Sequence, residues 1–149
     1  MEEYLSKKNE SKEQNIFLVT PVGSIDEIVK DYGWVYPWLN DKNIKLRKDL
    51  PVTNIRFIQI IGTQEEVLEQ IKELSLRTAE SEYLLGFAKA YPHLLEKYRF
   101  IVALDSQKTQ GEKGYTGSIC IDWHDEPELR LLNESKKIGP SWFIPVHAD

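Results

Sequence analysis

Ile55-Arg56-Phe57-Ile58-Gln59-Ile60-Ile61-Gly62 runs directly into Thr63-Gln64-Glu65-Glu66 and then Val67-Leu68-Glu69-Gln70-Ile71. The first eight residues are rich in β-branched and aromatic side chains and end at a glycine, which predicts a strand in the middle of a sheet. Thr63 and Glu66 have the spacing of a capping box, in which the threonine hydroxyl takes the Glu66 amide and the glutamate reaches back to the Thr63 amide. Beyond it Val67, Leu68, Ile71 and Leu74 recur at helical spacing, while Glu65, Glu69, Lys72 and Glu73 fill the opposite side. A strand followed by a capped amphipathic helix predicts a mixed α and β fold.

Downstream, Tyr83, Leu84, Phe87, Ala88 and Tyr91 keep helical spacing from about Glu80 to Tyr91, and Pro92 ends the run. Phe100 to Leu104 and Tyr115 to Trp123 read as strands. Asp125 to Asn133 reads as a short helix, with Pro127 in its first turn and Leu129, Leu131 and Leu132 inward. Trp142 to Val146 reads as a last strand, and Pro145 places it at an edge.

Upstream, Ile16 to Thr20 reads as a short strand. Ser24-Ile25-Asp26-Glu27 has capping-box spacing, with Ile25, Ile28 and Val29 as an apolar stripe and Gly33 as the stop. Asp41 to Asn43 reads as a turn, and Ile44 to Arg47 alternates like a half-buried strand. Residues 1–14 are polar and charged and read as a flexible tail. Residues 15–149 then form one α+β domain, with a mixed or mainly antiparallel sheet and helices packed on one face. The two helices between the strands at Ile55 and Phe100 permit one right-handed crossover.

Composition narrows the functional classes. The chain has 149 residues, 41% of them apolar, which is enough for a core without disulfides or metal. Its single cysteine, Cys120, sits in an apolar run and reads as a buried, unreactive thiol. The low cysteine content, the absence of an apolar leader and the absence of a long apolar run fit a cytoplasmic protein with no membrane partner. A net charge of −5 disfavours nucleic acid as a partner. Lys42, Lys45, Arg47 and Lys48 form the one local basic cluster and read as a solvated face. Walker, dinucleotide-binding, nucleophile-elbow and zincin signatures are all missing.

Two sets of residues invite a functional reading. Tyr32, Trp34, Tyr36 and Trp38 fall at every second position of Tyr32-Gly33-Trp34-Val35-Tyr36-Pro37-Trp38. In an extended chain alternate side chains share a face, and Pro37 suits an edge strand or loop. The strip is either core or an exposed binding patch, since tryptophan and tyrosine are favoured interface anchors. Asp31, Asp41 and Glu27 flank it, which argues against stacking on nucleic acid. The second set lies at three strand ends: Asp105, then Asp122 and His124, then His147 and Asp149. If those ends met, two imidazoles and several carboxylates would suit a divalent metal that activates water for hydrolysis. If neighbouring strands ran in opposite directions, the ends would separate. The sequence thus predicts a non-enzymatic module that binds a protein, of inhibitor or immunity type. It acts without a cofactor by neutralising its partner. The alternative is a metal-dependent hydrolase at the strand ends.

Overall fold

The computed structural model describes residues 15–105 and 107–148. The tail read at residues 1–14 and the terminal Asp149 lie outside them.

The central strand forms as β3, Thr53–Ile58, with Ile55 completely buried. It lies between β1, Phe17–Val19, and β8, Ile144–His147, both antiparallel to it. Pro145 is thus on an outer strand of this three-stranded sheet, as a residue without an amide hydrogen requires. The second sheet runs in the order β2 (Trp34–Val35), β7 (Glu126–Asn133), β6 (Thr116–His124), β4 (Phe100–Val102), and the short β5 (Thr109–Gln110) also pairs with β6. Only the β2–β7 pair is parallel within this sheet. The two sheets meet at Phe143. Its amide donates to the Phe100 carbonyl at 2.9 Å, and its carbonyl accepts from Val102 at 3.0 Å.

The capping box at Thr63 forms in both directions and opens α1, Gln64–Glu73. Val67 and Ile71 bury their side chains, whereas Leu74, on the same stripe, lies past the last contact and is exposed. α2, Ser81–Ala90, is buried along its first eight residues. Gly86 lets it lie against the end of β1, because a Cβ there would run into the Thr20 carbonyl and Val19.

The fold is α+β, as the element order predicts, with its helices divided between two apolar clusters rather than gathered on one. α2 packs with Ile101, Ile119 and Ile121; α1 packs with Val102 and Cys120, the alternate residues of the same strands. The larger cluster carries an edge-to-face aromatic set, with Phe57 and Phe87 centroids 4.7 Å apart and Tyr98 and Phe143 4.8 Å apart.

Four local expectations change. Asp125 to Asn133 is not a helix. Glu126–Asn133 is β7, folded back on β6 through Asp125 at φ 65°. Leu131 and Leu132 join different apolar clusters, which adjacent residues do in a strand. The helix expected after Ser24 shrinks to a 3₁₀ turn at Val29–Asp31. Asp41 is the cause: it accepts from the Ser24 hydroxyl and, at 2.7 Å, from the Ile25 amide, so the hydroxyl is not left to cap a helix. Ile44 to Arg47 is irregular, because the Arg47 amide donates to the Glu82 carboxylate instead of a neighbouring strand. Finally, β3 and β4 lie in different sheets, so α1 and α2 do not form a crossover within one sheet.

Candidate functional site

The hairpin of β6 and β7 sets up the site. Its register places Asp122 opposite Glu128 and Cys120 opposite Arg130. Directly paired residues share a face of the sheet. On one side of this row, Trp34 of β2 is the partner of Glu128; on the other, Phe100 of β4 is the partner of Asp122. One row across four strands therefore reads Trp34, Glu128, Asp122, Phe100, and Trp142 stacks on Phe100 at 4.2 Å.

Arg130 organises the row. Its guanidinium lies over the Trp34 ring, 4.7 Å from the centroid. Its Nε donates to Glu128 at 3.1 Å, a second bond runs from its terminal nitrogen to the same oxygen, and Asp122 is 3.9 Å away. Tyr36, just past the end of β2, supports Trp34, with ring centroids 6.4 Å apart. Trp34 keeps 41% of its surface exposed. A large aromatic ring is thus held in place and still faces outward, on the last strand of a sheet.

The other members of the aromatic strip go elsewhere. The chain leaves the extended form after Val35, and Tyr32, Tyr36 and Trp38 pack against the larger core cluster. Tyr36 donates to Glu112 at 3.1 Å and receives the Tyr115 hydroxyl at 3.3 Å; the Trp38 indole donates to the Gln110 carbonyl at 3.1 Å. The four rings therefore do not form one strip: three brace the 110–115 segment or the core, and Trp34 alone of the four is exposed.

The strand-end residues also divide. Asp122 and His124 come together, 3.0 Å apart, and Glu128 joins them; one ligand atom from each lies within 4.8 Å of the others. Asp105 and His147 stand apart from these, at the start of α2. The Ser81 amide donates to Asp105 at 2.9 Å, and His147 Nε2 lies 2.7 Å from Glu80. Arg47 bridges Asp105 and Glu82, so Asp105 is committed to an ion pair. Burial alone would raise the Asp105 pKa, but hydrogen bonds from Arg47, Gln107 and Ser81 outweigh it and hold the carboxyl below its ordinary value. The antiparallel pairing of β4 and β6 explains the separation: Asp122 sits beside Phe100, at the opposite end of β4 from Asp105. Cys120 is buried, and burial pushes its thiol up to about 12, which leaves no thiolate at neutral pH.

Glu128 and Arg130 were hidden from a sequence reading that made their segment helical. The signal for them was the alternation of Pro127, Leu129 and Leu131 against Glu128 and Arg130. Comparison with protein-family models, curated proteins and solved structures finds no match. Among the described residues no helix is long and apolar enough to cross a membrane.

Proposed function

We propose that this protein is a non-enzymatic module that binds a protein partner through the Trp34 face and acts by occupying it, as an inhibitor or immunity-type protein does. The observation that carries the reading is Trp34 itself, exposed at a sheet edge yet held by Arg130 and Tyr36. Tryptophan and arginine are the residues that most often dominate binding energy at interfaces, and a ring already held in place loses little freedom on binding. Its surround of Asp122, Glu126 and Glu128 favours a basic partner surface, whose approach is accelerated at low salt. The test is to capture a partner from the native lysate and measure its affinity. Trp34→Ala is expected to weaken it by about 2 kcal/mol, roughly thirtyfold. Unchanged affinity would remove the reading.

A second reading keeps a divalent metal and hydrolysis, on the specific observation that Asp122, His124 and Glu128 cluster. A three-ligand set with open positions is the usual arrangement for activating water. Arg130 opposes it, since its charge already lies on two of the three ligands. This reading predicts that Zn²⁺ raises the melting temperature of the wild type and not of His124→Ala. No shift in the wild type would exclude it.

A further inference from the structure

On the other side of the hairpin lies a cleft of about 380 Å³, well within the size range of small-molecule sites. Ile28, Leu85, Ala88 and Leu95, all buried, contribute apolar surface; Tyr32 and Trp123 contribute rings. Trp123 alternates with Asp122 and His124 along β6, so the cleft and the Trp34 face are on opposite sides of the sheet. Two properties define what the cleft would hold. Asp31 and Lys89, the charged residues lining it, are exposed and opposite in sign, so it offers no net charge to select an ion. The Tyr32 hydroxyl, by contrast, has no hydrogen-bond partner among the described residues, although burial and the nearby Asp31 carboxylate hold its proton firmly on. The hydroxyl is not among the buried unpartnered atoms; it stays open to solvent and is placed to donate to an acceptor on a bound molecule.

We propose that this cleft is a binding site for a small neutral aromatic molecule, of one or two fused rings, bearing a hydrogen-bond acceptor that takes the Tyr32 hydroxyl. The rings of Tyr32 and Trp123 favour a flat ligand over an aliphatic chain, because offset and edge contacts between rings add to the gain from apolar burial. The site is independent of the Trp34 face, and its occupancy does not require a protein partner.

Two isosteric probes test it by nuclear magnetic resonance titration of the full-length protein: indole-3-carbaldehyde, which carries the acceptor, and 3-methylindole, which lacks it. Both are expected to shift the Leu85, Ala88 and Trp123 signals saturably, with the aldehyde bound about fivefold more tightly, the value of one net hydrogen bond. Tyr32→Phe is expected to erase the difference between the probes while both still bind. Ala88→Leu, which fills the cleft, is expected to abolish both. Absence of saturable shifts in the wild type, a difference that survives Tyr32→Phe, or binding retained by folded Ala88→Leu would each overturn the proposal. Should Ala88→Leu fail to fold, the Tyr32→Phe comparison decides alone.

Discussion

Two arginines in this molecule each face two carboxylates, and they do different work. Arg47 joins Glu82 and Asp105, whose side chains are 1% and 4% exposed. Arg130 joins Glu128 and Asp122, with side chains 20% and 23% exposed, and is itself 44% exposed. The chemistry is the same; the surroundings differ. At Arg47 the carboxylates cannot turn to water, so the guanidinium is what makes their burial tolerable, and it ties the irregular 44–47 segment to the start of α2. At Arg130 water competes for every group, so the ion pair adds little to stability. Its consequence is positional: it fixes a guanidinium against an outward-facing tryptophan. Burial thus separates a cluster that holds the fold from one that remains available to a partner.

The largest effect expected from this contrast is at Arg47. Arg47→Met leaves Glu82 and Asp105 buried without a counter-charge and is expected to cost about 3 kcal/mol in urea unfolding. A loss below about 1 kcal/mol, the range of surface pairs, would erase the distinction.

Acid sensitivity should follow the same division. The Asp105 pKa is lowered in the folded state, so its contribution is complete above the unfolded value of about 4 and is lost as pH falls through the lower folded value. Stability of the wild type should fall on acidification below about pH 4. Asp105→Asn should be less stable at neutral pH and show a flatter acid limb. Equal acid limbs would show that Asp105 does not carry this dependence.

At Arg130 the effect on folding should be small. Arg130→Ala is expected to change stability by less than about 1 kcal/mol, while partner affinity falls because Trp34 loses its support. Smallest of all, raising salt from about 0.05 to 0.5 M should leave the Arg47 contribution nearly intact and screen that of Arg130. Double-mutant cycles of Arg47 with Asp105 and of Arg130 with Glu128, run at both salt concentrations, measure this directly.

The same contrast shows what the sequence made legible. Ser24 and Thr63 each stand three residues before a Glu at the start of an apolar stripe and read as caps. Thr63 forms its box because its helix follows at once and, among the described residues, its hydroxyl accepts from the Glu66 amide alone. Ser24 does not, because Asp41, 17 residues away, takes that hydroxyl. Local spacing proposes a cap, and a distant competitor decides it. β7 failed for a related reason. Leu129 and Leu132 are three apart, which suits a helix, but the long apolar β6 beside them offers a full ladder of hydrogen bonds in an extended form. Once that segment is a strand, Glu128 falls into the row with Asp122 and Trp34, and Arg130, two residues on, shares its face. Of the residues in the row, the sequence singled out Trp34 and Asp122, with His124 beside them. Strand register, on which the rest depended, is a long-range property.

Trp34 carries the central claim, and Leu74 provides its control, since it is 60% exposed at the C-terminal end of α1, outside the site. The direct measurement is capture of partners from the native lysate by the wild type, Trp34→Ala and Leu74→Ala, each shown to be folded, with bound proteins quantified by mass spectrometry. The account predicts one stoichiometric, basic partner held by the wild type and Leu74→Ala and lost by Trp34→Ala. A partner held equally by all three, or lost equally by both variants, would contradict it.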